Sequence, residues 1–283
     1  MVSKKEFNEY IQNNVRRTVR DYKLLEKNER IAVALSGGKD SILTLYMLNA
    51  LKEEYNIDLV AISVDEGISG YRNEGVEAAR KNAKALEIKL IEKSFFDEFN
   101  FKLDDIFSFY KSACMPCGVF RRYLLNKTAY EVGASKIATG HNLDDEIQSF
   151  LMTFARADFK RFPKFGPKLD VIHPKLIPRI KPLWNVMEKD VGTWIVLNNI
   201  DVHFAECPYS YMSARSKIKE FLNKMESNRK GTKANILKSF DKTLQLEKKP
   251  IKLYECEKCG EPSSTNICKA CEMVEDINKL ILD

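Results

Sequence analysis

Ser36-Gly37-Gly38-Lys39-Asp40-Ser41 stands between an apolar run of strand length, Arg30 to Leu35, and a helical pattern that continues to Leu51. The order strand, glycine turn, helix builds an anion-binding loop. Glycines let the backbone turn tightly and bring N–H groups close to an anion. The helix start adds free donors and a positive dipole end. Ser36 and Ser41 offer hydroxyl donors, and Lys39 offers charge. The stretch lacks the G-x-x-x-x-G-K-[ST] spacing of the Walker loop, so it is a phosphate loop of another kind.

The same alternation repeats outward from the loop. Residues 3–28 carry Phe7, Tyr10, Ile11, Val15, Val19, Tyr22 and Leu25 at helical spacing, which predicts an amphipathic helix. Strands are expected at 30–35, 58–64, 88–92 and 136–139. Helices are expected from 40, over 73–86, over 118–132 and from 143. A further helix and strand fall within 191–206, the strand at Val202–Ala205. This pattern implies an α/β fold, a parallel sheet with helices on both faces. Such sheets bind ligands beyond the carboxyl ends of their strands. The two sharpest polar motifs, at 36–41 and 140–145, fall at such ends.

The chain has 283 residues, 44% hydrophobic and 30% charged, which suits a sizeable core and argues against disorder. No long apolar run exists, so no membrane span is expected. Met1-Val2-Ser3-Lys4-Lys5-Glu6 is no signal peptide, and a cytoplasmic location is expected. The formal charge of +6 is segregated. Residues 156–190 hold nine Lys/Arg against four Asp/Glu, and residues 211–250 hold eleven against four. A basic excess confined to two segments fits a nucleic-acid phosphate footprint. Phe159, Phe162, Phe165, Trp184, Tyr209 and Tyr211 accompany it, and some could stack on an unpaired base.

The seven cysteines divide by spacing. Cys256-x-x-Cys259-Gly260 and Cys268-x-x-Cys271 have the form of a zinc ribbon, two knuckles closing a tetrahedral, structural Zn²⁺ site. Gly260 suits the left-handed turn after a knuckle. Cys114-x-x-Cys117 sits just before a helix, where thiol pKa values are expected to fall. Cys207 stands alone before Pro208. These three read as incidental thiols, as a redox or persulfide pair with a bystander, or as a cluster site. An iron–sulfur cluster usually takes four cysteines, so a three-cysteine site would leave one iron open.

The SGGxDS loop resembles that of the PP-loop ATP pyrophosphatases, the adenine nucleotide alpha hydrolase-like enzymes that hold the β,γ-pyrophosphate of ATP and adenylate an oxygen. Cys114-x-x-Cys117-Gly118-x-x-Arg121-Arg122, then Thr139-Gly140-His141-Asn142-x-Asp144-Asp145, then the lone Cys207-Pro208 narrow the resemblance. Over about residues 30–215 and into the tail, the chain is similar to the TtcA/TtuA-type tRNA 2-thiolation enzymes, especially the archaeal and eukaryotic 2-thiouridine branch. That resemblance implies an ATP-dependent tRNA sulfurtransferase. ATP would contact Ala34, Leu35, Ser36, Gly37, Gly38, Lys39, Ser41, Ile62, Val64, Arg121, Gly140 and His141. Asp40, Asp145 and Arg121 would act in the adenylation step, with Mg²⁺ on the carboxylates; one of Asp144 and Asp145 could be only a helix cap. Cys114, Cys117 and Cys207 would hold a [4Fe-4S] cluster.

The resemblance also implies tRNA as partner, a ubiquitin-like sulfur carrier or free sulfide as donor, and a homodimer. Four parts are expected: an N-terminal helix over 1–28, a PP-loop thiolation domain over 29–215, a basic helical extension over 216–250 and the ribbon over 251–283. These synthases commonly carry a second zinc ribbon at the N-terminus, and residues 1–28 hold no cysteine for one. Cytidine 2-thiolation and a non-catalytic zinc-ribbon RNA-binding subunit are the competing readings.

Overall fold

The computed structural model describes residues 3–158, 162, 165–212, 215–243 and 253–282. The aromatic candidate Phe159 lies outside them. Helix α1, Lys4–Asp21, opens with a capping box: the Ser3 hydroxyl accepts from the Glu6 N–H, and the Glu6 carboxylate accepts from the Ser3 N–H. It buries Ile11, Val15 and Val19. Lys23 and Asn28 take positive φ, so the helix stops short of residue 28 and the chain turns into the sheet.

Next come β1 (Arg30–Ala34), α2 (Lys39–Ala50), α3 (Lys52–Tyr55), β2 (Asp58–Asp65), α4 (Arg72–Ala85) and β3 (Lys89–Ser94). Short helices α5 (Phe95–Phe99) and α6 (Leu103–Ile106) lead to α7 (Cys114–Glu131), β4 (Lys136–Ala138) and α8 (Leu143–Ala155). After a proline-rich stretch follow β5 (Arg179–Ile180), α9 (Glu188–Asn198), α10 (Arg215–Asn228) and α11 (Thr232–Thr243). The tail holds β6 (Tyr254–Glu255), β7 (Pro262–Ser263) and α12 (Lys269–Leu282).

The first five strands form one parallel sheet in the order β3-β2-β1-β4-β5. Alternation along β1 divides the core: Ile31 and Val33 face one layer with α1, α2 and α9, and Ala32 faces the other with Phe95, Phe120 and Leu124. The chain leaves β1 toward β2 and β3, then returns to place β4 on the other side of β1. The strand order therefore reverses between β1 and β4, which opens the crevice where such sheets bind ligands.

Three features depart from the sequence pattern. Helix α7 begins at Cys114, so both of its cysteines lie in the helix and not before it. Val202–Ala205 is not a strand: it makes a single parallel bridge, Gly38 with His203. Strand β5 was hidden between Pro178 and Pro182, because a two-residue strand carries no periodicity. Among the described residues no helix is long and apolar enough to cross a membrane.

Candidate functional site

The phosphate loop lies at the carboxyl end of β1, in the crevice. Leu35 N–H donates to the Ile62 carbonyl at 2.8 Å, which carries the β1–β2 pairing to the edge of the loop. Gly37 takes φ +84, and a Cβ there would fall 1.8 Å from the Gly75 carbonyl oxygen of α4. Gly140, after β4, is equally constrained: its Cβ would meet the Ser41 nitrogen at 2.8 Å. These glycines are thus packing requirements as well as turn formers. The Ser41 hydroxyl donates to the Gly38 carbonyl at 2.9 Å and accepts from the Ser36 N–H at 3.1 Å. Ile62 and Val64 are buried at the end of β2. Ala34 ends β1 and Leu35, Ser36, Gly37, Gly38, Lys39 and Ser41 follow it, Ile62 and Val64 lie near the end of β2 and Gly140 and His141 follow β4, whereas Arg121 stands on α7.

Acids and cations ring the loop. Lys39 Nζ lies 2.9 Å from Asp40 and 3.1 Å from Glu188 at the start of α9. Burial pulls the Lys39 pKa down, but these two carboxylates outweigh it and the net shift is upward. The Asn142 amide donates to Asp40 at 2.7 Å, while Asn142 and Asp145 cap α8 reciprocally. Asp145 has its carboxyl pushed up to about 6, first by burial and then by the Asp40 charge, against the pull of Arg215. Burial and the Asp40 charge thus favour the protonated form of the Asp145 carboxyl. Asp144 has a different task. It is buried, pairs with Lys233 of α11 and accepts the Glu188 N–H at 2.8 Å, so it fastens helices together.

On the α7 side of the crevice stand the three internal cysteines. Cys114 is exposed and Cys117 and Cys207 are half-buried. The expected lowering of thiol pKa fails here. Burial pushes Cys117 up to about 12, against the Arg121 guanidinium, and burial also raises Cys207. Cys117 sits a turn inside the helix, where loss of solvent outweighs the dipole. Cys117 and Cys207 each feel the charge of Cys114, which puts the three thiols in one neighbourhood, but their sulfurs do not all come within 4.8 Å of one another as those of the tail set do. Soft thiols are the ligand type that iron–sulfur clusters take.

Sequence reasoning missed four residues of this neighbourhood. Glu66 and Arg72 form a buried ion pair of 2.8 Å between the loop and Arg121. Arg179 of β5 has its pKa pulled down to about 10, by burial and then by Arg122 and Arg121. Arg215 of α10 pairs with Asp145 at 3.1 Å. Glu66 directly follows β2 in Asp65-Glu66-Gly67, and an acid just past a strand's carboxyl end was the available signal. His141 opens to solvent, yet its crowded setting and the cations Lys181, Arg121, Arg215 and Arg179 hold its pKa well below the ordinary value. Its ring is neutral, with Nδ1 2.9 Å from the Thr139 hydroxyl.

The tail carries a second thiol set. The ligand atoms of Cys256, Cys259, Cys268 and Cys271 all lie within 4.8 Å of one another, the one group so tight among the described residues. Cys259 and Cys268 sulfurs stand 3.6 Å apart, and the Cys268 N–H points at the Cys256 sulfur at 3.1 Å. Gly260 has φ +72, as its place after a knuckle requires. Asn126 of α7 donates to Glu261 at 2.9 Å, and Lys175 pairs with Glu255, which fastens the ribbon to the sheet domain.

The model of the PP-loop domain matches residues 5–225. The chain belongs to the PP-loop family. Within that family it is 35% identical to the tRNA 2-thiolation protein NcsA of Haloferax volcanii, over 94% of this chain and 90% of the relative. It is 37% identical to the tRNA-5-methyluridine(54) 2-sulfurtransferase of Pyrococcus horikoshii, over 94% and 85%. The solved U34-tRNA thiolase NcsA from Methanococcus maripaludis, with its [4Fe-4S] cluster, superposes with a TM-score of 0.84 at 35% identity and covers 97% of this chain and 89% of that one.

Proposed function

We propose that the protein is an ATP-dependent tRNA 2-thiouridine synthase. The observation that supports this most is the chain of contacts that runs from the phosphate loop through Arg72, Glu66 and Arg121 to Cys117. Cytidine as substrate is the less favoured reading, because both relatives whose names specify a base act on a uridine.

In this reading the backbone N–H groups of 36–41 and the start of α2 hold the β,γ-pyrophosphate of ATP. Asp40 and Asp145 would hold Mg²⁺, which would neutralise phosphate charge, and Arg121 would stand next to the nucleotide. The uridine O2 attacks the α-phosphorus and pyrophosphate leaves. A poor oxygen leaving group has become AMP. Sulfide-level sulfur then adds to C2 and AMP departs. Cys114, Cys117 and Cys207 would hold a [4Fe-4S] cluster whose fourth iron, lacking a protein ligand, supplies a place for that sulfur. The chain's own task is to keep water out between the two steps, since hydrolysis returns uridine. The target base leaves its stack to reach the crevice. Sulfur comes from a carrier protein or free sulfide.

We assign zinc to the ribbon. Tetrahedral Zn–S bonds of about 2.3 Å set sulfurs a little under 4 Å apart, which fits the 3.6 Å between Cys259 and Cys268. A cluster places each thiolate on a different iron and so spreads them wider.

Nucleoside mass spectrometry of tRNA from a deletion strain tests the function: 2-thiouridine should vanish. Loss of 2-thiocytidine alone, with 2-thiouridine unchanged, would overturn the substrate. Anaerobic metal analysis tests the two sites. Cys207→Ser should lose iron and keep zinc, and Cys268→Ser should lose zinc. Iron that survives Cys207→Ser, or departs with Cys268→Ser alone, would reassign the cluster to the tail.

A further inference from the structure

The buried pair of Glu66 and Arg72 has no place in the chemistry above, yet it touches three parts of the site. Arg72 Nη1 donates to the Ser36 carbonyl of the phosphate loop at 2.5 Å, and Nη2 donates to the Ser63 hydroxyl at 2.9 Å. Its Nε lies 2.8 Å from both the Val64 carbonyl, at the strand end facing the nucleotide, and Glu66 Oε2. The other oxygen of Glu66 points away from this cage, 3.4 Å from Arg121 Nη1. The Arg72 and Glu66 side chains are 6% and 7% exposed, whereas Arg121 is 47% exposed.

A carboxylate and a guanidinium withdrawn from water are held only by good geometry with further hydrogen bonds. Arg72 has those bonds, to backbone and hydroxyl atoms that do not move independently of the sheet. Glu66 is therefore a rigid carboxylate with one oxygen offered outward. Arg121 is long, half-exposed and otherwise free to sample many rotamers, and it must stay in the gap between the loop and the cysteines to be useful.

We propose that Glu66 is a positioning residue: anchored through Arg72 to the Ser36 carbonyl, it aims the Arg121 guanidinium at nucleotide bound on the loop. The inference rests on the reading of Arg121 as a nucleotide contact, and a double-mutant cycle separates the two.

ATP affinity is measured by calorimetry on Arg121→Ala, Glu66→Asp and the double variant, with thermal midpoint and metal content as controls. Glu66→Asp keeps the charge that Arg72 needs but withdraws it by one methylene from Arg121. Each single change should weaken ATP binding about tenfold, and the double variant should bind within about twofold of Arg121→Ala. A double variant weaker by the product of the singles overturns the coupling while leaving Arg121 as a contact. Wild-type affinity in Glu66→Asp overturns it too. An Arg121→Ala that binds ATP normally removes both the contact and the inference. Should Glu66→Asp fail to fold, Glu66→Gln, which keeps the length, goes through the same cycle.

Discussion

Asp145 shows how a single carboxylate carries the competing demands of this crevice. It caps α8, pairs with Arg215 and faces Asp40. Its folded pKa of about 6 stands above the ordinary value of 3.8, because burial and Asp40 outweigh Arg215 and the cap. A raised carboxylate pKa means that the folded state holds the proton more tightly than the unfolded one. That contribution is complete below pH 3.8 and is lost as pH rises through about 6. Asp145→Asn should therefore be the more stable protein at pH 8 without metal, with the gap closing toward pH 4. Mg²⁺ should raise the wild-type melting temperature and leave the variant's unchanged. Melting curves from pH 4 to 8, with and without Mg²⁺, check this; a variant less stable at pH 8 would mean that the cap and Arg215 dominate after all. The resemblance assigns Asp145 to the adenylation step, but the sequence leaves open which of Asp144 and Asp145 is only a cap. Their roles diverge because consecutive residues at a helix start point to different sides, and that direction follows only from what packs there.

The helices after the sheet domain read differently as elements than as a string of charges. Residues 211–250 are basic enough to look wholly like an RNA footprint. In the fold, three of their cations turn inward: Arg215 to Asp145, Lys219 to Glu188 and Lys233 to Asp144. Each acid lies beside the phosphate loop, so α10 and α11 close one side of the crevice. Leu222, Leu237 and Phe240 add an apolar seam with Leu143, Ile147 and Trp184. The seam is legible as helical periodicity, but its partners are dozens of residues away and no local pattern names them. The inward cations differ in worth. Lys233 and Asp144 are both buried, so Lys233→Met strands a carboxylate and should cost about 3–5 kcal/mol. Arg215→Ala breaks a pair some 40% exposed on the arginine side and should cost under about 1 kcal/mol. Urea titrations of the two variants measure the difference; equal losses would place the docking energy in the apolar seam alone.

At the scale of the whole molecule, the same sorting decides how much charge is left for RNA. The motifs at 36–41, 114–122, 140–145 and 256–271 were legible because each is local: spacing along the chain fixes what the loop or knuckle can do. The share of basic residues facing outward was not, since a lysine engaged by a distant acid looks the same in sequence as one facing water. The aromatic candidates sort similarly, with Phe162 and Trp184 in the core and Tyr211 75% exposed. Lys217 and Lys224 on α10, Arg229 and Lys230 in the turn after it, and Lys238 and Lys242 on α11 are exposed, and these cations can displace counterions from a phosphate backbone. Lys217 and Lys224 lie two helical turns apart on one face of α10. Each phosphate contact contributes roughly 0.7–0.9 to the slope of log affinity against log salt. Replacing Lys217 and Lys224 with alanine should thus flatten the slope for tRNA by about 1.4 to 1.8. Lys219→Ala on the same helix should leave it unchanged, because Glu188 already engages that ammonium at 2.9 Å. Filter binding of tRNA between 50 and 200 mM salt, roughly the range over which such slopes are read, distinguishes the variants. A slope that flattens equally for Lys219→Ala would mean that RNA pulls this lysine off Glu188 and opens the crevice as it docks.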